Sequence, residues 1–324
     1  EQGLLFAKVR ERLEPRIAVA LPSFDSYRKV LSKAGFSRLL AELALPQPGT
    51  RIFKTAGELR NIDRFPCVIK TSIGTASRGI WFVHDQAELA PVLRELAGGD
   101  SDEILVQDFV AGPMEHAQAV FQRGSLLASH AYRQLVAGAG GGPARKESVR
   151  RPLVHEHLAS IGARLGWHGA LSVDYIWQES QNTPLYIDCN PRLVEPMNAL
   201  WSGLDLTQLL LDVSCGEVPP PAAQSRPGTR THIAIQALLG CAIRGGSRRN
   251  LLREVWLLSS RRGPYAGSQE ELTPLRIDWL SIVPLIMTML FLLVKPRWAH
   301  ELPKRGWGSH LLSPQTIRMI ETMS

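Results

Sequence analysis

Residues 184–192 read PLYIDCNPR, and shortly upstream residues 170–177 read ALSVDYIW. Both are apolar, β-prone runs carrying one acidic residue, with a polar turn between them. Side chains alternate along a strand, so Asp174 shares a face with Ser172 and Ile176, and Asp188 shares one with Asn190. If the two strands pair, three oxygen ligands converge on one spot. An aspartate inside an apolar strand is costly unless paired or liganded. Hard Mg²⁺ takes such oxygens together with waters and nucleotide phosphates. Exposed strand ends beside a turn explain Asp174 alone, but explain the three together poorly. Arg192 and Glu195 follow at once. A guanidinium there can hold a carboxylate or a phosphoryl group bidentately; a salt bridge to Glu195 is the plainer reading, and the two are compatible.

Working outward, FPCVIK (65–70) is a short strand ending on Lys70, TSIGTASRG (71–79) a turn of small and hydroxylated residues, and IWFV (80–83) a returning strand. Backbone N–H groups of such a turn can approach phosphate oxygens closely. The lysine precedes the glycines, so this is not a P-loop, and a plain hairpin turn explains the segment by itself equally well. Residues 27–45 have helical apolar spacing, stopped by PQPGT. Residues 85–96 read as a helix capped by Asp85, with Glu88 completing a capping box. EILVQDFV (103–110) is a strand, and AQAVF and SLLASHAY pair across the turn QRGS. VAGAGGGPAR (136–145) reads as a mobile glycine loop. Residues 155–167 and 205–217 read as helices. Short strands and helices without regular βαβ spacing predict an α+β arrangement.

Taken in order, these segments resemble the ATP-grasp superfamily, which includes biotin carboxylase, carbamoyl-phosphate synthetase and many carboxylate–amine ligases. The resemblance runs from Lys33 to about Glu217. It implies two α+β subdomains clasping ATP over residues 29–219, with 1–28 a remnant of a preceding Rossmann-like subdomain and 220–324 a basic, partly apolar helical extension. The opening LSKAGFSRLLAELALPQPGT resembles the family's first lysine and its following turn, which puts Lys33 near phosphate. FPCVIKTSIGTASRG resembles the strand lysine and covering loop, which implies Lys70, Gly74, Thr75, Ser77 and Gly79 as phosphate contacts. EILVQDFVAGPME resembles the hinge. There Gln107, Asp108, Phe109 and Val110 would lie at the adenine, read by the backbone of Asp108 and Val110, with Glu115 on the ribose.

YRQLVAGAGGGPARKESV resembles the later substrate-side loop, making Arg133 and Lys146 contacts to phosphate or substrate beside Arg192. SVDYIW and YIDCNPR resemble the two metal-ligand strands, implying Asp174, Asp188 and Asn190 around Mg²⁺ or Mn²⁺. Gln107 stands where the family often has Glu, and the two aspartates replace commoner glutamates, each shortening the ligand arm by one methylene. The implied chemistry is attack of a small-molecule carboxylate on the γ-phosphate of ATP, then displacement of phosphate by an amine or thiol. The alternatives are a kinase acting on a sugar or polyol hydroxyl, and a non-catalytic ATP-binding module at a membrane.

The chain has 324 residues, 44% apolar and 21% charged, an ordinary globular balance. The opening EQGLLFAKVR carries no signal-peptide core and no initiator Met, and reads as part of a chain that starts upstream. Four scattered cysteines without metal spacing fit packing residues of a reduced, cytoplasmic protein. No Ser-His-Asp or Cys-His grouping stands out, and the His155/His157 pair lacks a metal pattern. The net charge of +7 is concentrated in residues 220–324, with 14 Lys and Arg against 6 Asp and Glu. Basic charge away from the catalytic segments argues against nucleic acid as partner. A solvated basic face is the first reading, with anionic lipid or anionic substrate behind it. Residues 249–265 read as a basic helix ending at a glycine. Residues 279–294, WLSIVPLIMTMLFLLV, are uncharged and shorter than the ~20 residues a membrane span needs. A helix buried against the enzyme domain ranks first there, peripheral membrane contact through 279–298 second, a true span last.

Overall fold

The computed structural model describes residues 2–14, 16–74, 79–98, 103–217, 220, 224–275, 277–300 and 313–323. It opens with helices α1 (Gln2–Lys8), α2 (Arg10–Leu13), α3 (Phe24–Leu31) and α4 (Lys33–Glu42). The single helix expected over 27–45 is therefore two. Ser32 is extended (φ −80°, ψ 123°), and its Oγ accepts from Gly35 N, so it caps α4 afresh. The break is held from a distant segment, because Lys33 N donates to Ser72 O at 2.9 Å. It places Lys33 on the first turn of α4.

Strands β1 (Thr50–Phe53), β2 (Cys67–Thr71), β3 (Ile80–Val83) and β4 (Ile104–Asp108) form an antiparallel sheet in the order β1-β4-β2-β3. Helix α5 (Gln86–Ala97) covers one face of it. Cys67, Ile69 and Val83 point to that covered side with Leu89, Val92 and Leu96. Asp85 caps α5 as expected, accepting from Ala87 N and Glu88 N. Glu88 reaches one residue further back than a capping box requires, accepting from His84 N at 2.8 Å.

The second sheet is larger. Its strands β5 (Met114–Gln122), β6 (Ser125–Ala137), β7 (Pro143–Val149), β8 (Gly169–Gln178), β9 (Thr183–Asn190), β10 (Arg230–His232) and β11 (Gln269–Glu270) lie in the order β11-β10-β7-β6-β5-β8-β9. Half of the expected glycine loop is strand: residues 138–142 turn, and β7 begins at Pro143. Alternation still holds in β7, but the inward positions are Ala144, Lys146 and Ser148, so apolar patterning could not show it.

Helix α6 (Pro152–Leu165) starts on a proline, ends at Gly166 in the left-handed region (φ +55°), and packs with α4 on one face of this sheet. Phe121, Leu171, Val173, Tyr175 and Trp167 fill that interface. Each fully buried large apolar side chain there contributes about 1.5–3 kcal/mol. Helices α7 (Met197–Trp201) and α8 (Leu206–Ser214) cover part of the opposite face, around Val120 and Ala128.

Strands β10 and β11 carry the sheet past the boundary expected near residue 219, since His232 pairs with Arg145 of β7. The remaining helices are α9 (Ala234–Ile243), α10 (Arg248–Ser260), α11 (Ile282–Val294) and α12 (Pro314–Thr322). Helix α10 ends on Arg261 in the left-handed region (φ +52°) rather than at a glycine. Among the described residues no helix is long and apolar enough to cross a membrane.

Candidate active site

Alternation in β2 sends Cys67 and Ile69 to the α5 core and leaves Val68 and Lys70 on the other face. That face meets β9, where Lys70 Nζ donates to Ile187 O at 3.0 Å. Lys33 arrives from the first turn of α4. Its Nζ donates to Gly74 O at 2.8 Å and lies 3.7 Å from Asp188 Oδ2. Both lysines are nearly buried, at 6% and 5% exposure. Burial drives the Lys70 pKa down to about 8, with Lys33 adding to the effect and Asp188 and Asp174 opposing it.

The acidic side is set by register. Asp174 on β8 pairs directly with Asp188 on β9, Ser172 with Asn190, and a bulge follows between Asp174 and Tyr175. Across β5, His116 pairs with Asp174 and Gln118 with Ser172. Two rows therefore cross three strands on one face, His116–Asp174–Asp188 and Gln118–Ser172–Asn190. Burial, with the neighbouring Asp174 charge, pushes the Asp188 pKa up, while Lys33 and Lys70 pull it down. The fit to a hard divalent cation is good: two aligned carboxylates and an amide oxygen on one face, which such an ion completes with water and phosphate. Among the described residues no group of three His, Cys, Asp or Glu forms a self-sufficient metal cage.

His116 was missed by the sequence reading. Its Nδ1 lies 2.7 Å from Asp174 Oδ1. Burial lowers its pKa, but the charge and hydrogen bond of Asp174 together with the hydrogen bond to Gln134 raise it, and the net shift is upward. The signal was available, since the hairpin partner of β5 and its alternation put His116 and Gln118 on the site face.

At the hinge, Gln107 Nε2 donates to Thr50 Oγ1 at 3.0 Å, Asp108 N to Gly49 O and Phe109 N to Pro66 O. A Cβ at Gly49 would stand 2.2 Å from Asp108 Oδ2, so the Asp108 carboxylate would have to turn away to admit one. Phe109 is exposed and meets Phe82 edge-on at 6.4 Å between centroids; Val110 follows at the rim. Register puts Phe82 and Ile80 on the face of Val68 and Lys70. Together these form an apolar wall beside the lysines. Gly79 stands at φ +68°, where a Cβ would collide with Thr71 Oγ1. Thr75 and Ser77 lie outside the described residues.

Three expected contacts are placed otherwise. Glu115 is fully buried: its two oxygens accept from Arg133 Nε, Arg151 Nε, Arg151 NH2 and Tyr175 OH, which fills a carboxylate's capacity. It presents no open oxygen to a ribose. Arg133 is held between Glu115 and Glu179 at 2.9 and 2.6 Å. Lys146 is fully buried, 2.8 Å from Glu195 Oε2 and 2.9 Å from Glu271 Oε2. Lys146 lies in the floor of the site, whereas Glu115 and Arg133 pair on the opposite face of the sheet, beside Tyr175. Nothing in the sequence near Glu271 marked it as part of that floor.

Glu195 sits in the left-handed region (φ +53°), an arrangement costing a non-glycine residue about 1–2 kcal/mol. Lys146 holds it there, so the expected Arg192–Glu195 bridge does not form. The segment is tied to the sheet by Ser172 Oγ donating to Arg192 O and by Val194 N donating to Gln118 Oε1. The Arg192 guanidinium is exposed, and none of the ion pairs among the described residues includes it.

No family model matches the chain. An uncharacterized protein of Sinorhizobium fredii, y4rH, is 31% identical over 190 residues, 53% of this chain and 38% of that protein. The carbamoyl phosphate synthase large chain of Rubrobacter xylanophilus is 24% identical over 232 residues, 67% of this chain and 22% of that one. The chain thus spans less than half the length of these curated relatives. Among solved structures, carboxyaminoimidazole ribonucleotide synthase of Aspergillus clavatus, complexed with ATP, superposes with a TM-score of 0.61 at 14% identity, covering 87% of this chain and 78% of that one. The biotin carboxylase domain of Hydrogenobacter thermophilus 2-oxoglutarate carboxylase, in complex with MgADP, ADP and bicarbonate, gives 0.57 at 17% identity, covering 69% and 55%. With an antiparallel sheet and a larger sheet antiparallel except at β10–β11 meeting over paired lysines and aspartates, these likenesses establish that the chain has the ATP-grasp fold.

Proposed function

We propose that this chain is an ATP- and Mg²⁺-dependent ligase that activates a small-molecule carboxylate as its acyl phosphate for attack by an amine or similar nucleophile. The observation that carries this reading is the convergence of Lys33 and Lys70 on Asp188, in register with Asp174, between the two sheets. Two near-buried cations beside two aligned carboxylates suit a polyphosphate and the metal ion that accompanies it. The neighbours with ATP and with MgADP bound support the same assignment. Adenine would lie against Val68, Ile80 and Phe82, with the backbone of 108–110 along its edge. A Mg²⁺ ion at Asp174, Asp188 and Asn190 would neutralise phosphate charge.

Lys33 and Lys70 would hold the phosphates in line, and Arg192 would anchor the acceptor carboxylate. The carboxylate oxygen bonds to the γ-phosphorus as the bond to ADP breaks. The amine then bonds to the acyl carbon, phosphate leaves, and the amine proton passes to water. No side chain need become covalently attached, so the work is positioning and charge neutralisation.

Titration calorimetry with ATP, with and without Mg²⁺, followed by assays of ADP release over a panel of carboxylates with hydroxylamine as trap, tests this. Metal-dependent ATP binding and a trapped hydroxamate are expected, with turnover down about 10²–10³-fold in Asp188→Asn. A stable phosphorylated product would reassign the site to a kinase. Full activity in Asp188→Asn would move the metal elsewhere.

A further inference from the structure

Helix α11 is apolar on every side: between Ile282 and Val294 only Thr288 carries a polar side chain. A helix of that kind is normally covered all round. Here one stripe packs inward, with Leu285, Met289, Leu292 and Leu293 against α9 and α10, in a cluster separate from both sheets. The helix expected to bury itself against the enzyme domain therefore packs on the extension. The opposite stripe, Val283, Ile286, Met287, Leu290, Phe291 and Val294, follows the spacing of a single helical face and is 41% (Ile286) to 67% (Val294) exposed.

The ends of this face have the composition of a lipid interface. Trp279, 70% exposed, precedes the helix, with Asp278 accepting from Leu280 N beside it. At the other end Trp298 lies against Phe291 and beneath the Lys295 ammonium. Arg248 caps the helix by donating to Leu293 O and Val294 O, and Arg249 and Arg297 stand exposed nearby. Helix α10 continues the pattern outward with Leu252, Arg253 and Trp256 exposed.

We propose that the outward face of α11 lies in the headgroup–acyl boundary of an anionic bilayer, parallel to its surface. Thirteen residues make roughly 20 Å of helix against a hydrocarbon core of roughly 30 Å, so the helix lies on the membrane and does not span it. Charge selects lipid over a second copy of this chain. A two-fold pairing would set the same patch against itself, and whichever way the helices run, Asp278 is the one carboxylate among the residues named here that could face Arg249, Lys295 and Arg297. Anionic headgroups complement those residues, at about 1 kcal/mol for each near the surface.

The test is flotation of the 324-residue chain with vesicles of phosphatidylcholine alone or with about a third phosphatidylglycerol. The protein is expected to float with the anionic vesicles, to float less with neutral ones, and to be released by high salt. Leu290→Glu should lower the anionic partition by about tenfold or more with the melting temperature unchanged. Arg249→Glu should weaken binding to anionic vesicles only. No flotation with anionic vesicles would overturn the proposal, as would Leu290→Glu floating like the parent. A dimer in solution that Leu290→Glu dissociates would also overturn it and assign the face to a second copy.

Discussion

In the cleft, Lys33, Lys70, Asp174 and Asp188 are packed between two sheets; on the outside of α11, six large apolar side chains stand in solvent. The two regions depart from ordinary burial in opposite directions. Removing a charge from water costs several kcal/mol unless partners repay it, and leaving a Leu or Phe exposed forgoes about 1.5–3 kcal/mol. Neither arrangement is what folding alone would select, so each marks a place kept for something the isolated chain lacks. In the cleft the proposed component is polar and anionic. At α11 it is apolar with an anionic rim.

Three measurements probe the buried-charge half of the contrast, where large effects belong. Glu271→Ala leaves Lys146 fully buried with only Glu195 as partner, and should destabilise by about 3–5 kcal/mol. Denaturant melts that shift by less than about 1 kcal/mol would mean water reaches Lys146, and the contrast with α11 would weaken. The double replacement Lys146→Met with Glu271→Leu should recover much of the loss.

The second effect is pH dependence. His130 accepts at Nδ1 from Ser225 Oγ–H and donates from Nε2 to Asn198 Oδ1, the bonding of a neutral imidazole. Burial drives its pKa down to about 4, and that of His232 likewise. Both lie below the unfolded value, so as pH falls from 6.5 toward 4 the unfolded chain takes up protons the folded chain refuses. Stability should drop by up to about 2 kcal/mol per histidine at pH 5. Melts at pH 7 and 5 should show a smaller loss in His130→Asn; equal losses would put the acid sensitivity elsewhere.

The smallest effect concerns one phosphate-facing charge. Lys70→Ala should weaken ATP binding by about tenfold, or about 1.4 kcal/mol. Unchanged calorimetric affinity would remove Lys70 from the phosphates. The same measurement on Leu290→Glu should show no change, since α11 is not part of the cleft.

Much of the cleft was legible in the sequence because it rests on alternation. Lys70 at the end of a short apolar run, and Asp174 and Asp188 each set in an otherwise apolar strand, follow from a period of two, and the register confirms the pairing. What escaped depended on partners distant in sequence. The apolar periodicity of 27–45 runs through Ser32, and only Ser72, arriving from a distant segment, shows why the helix breaks there. Strand β7 turns a lysine and a serine inward, so no hydrophobic pattern marks it. Glu115 looked like a ligand until Arg133 and Arg151 closed on it. At α11, composition identified an apolar helix but could not say which stripe the protein would leave uncovered.

The Lys146–Glu271 pair has a consequence for how the molecule is made. The lysine's strand emerges from the ribosome long before the carboxylate that completes its surroundings, and β10 and β11 also arrive late to close the edge beside β7. The β2–β3 and β5–β6 pairs can form from local contacts as they are synthesised, whereas closure of the sheet edge must wait for distant chain. Until residue 271 is out, Lys146 has Glu195 as its one carboxylate partner among the described residues, and the sheet edge beside β7 stands open. Nascent chains stopped before and after residue 271 should differ in protease resistance, because only the longer one can close the edge beside β7.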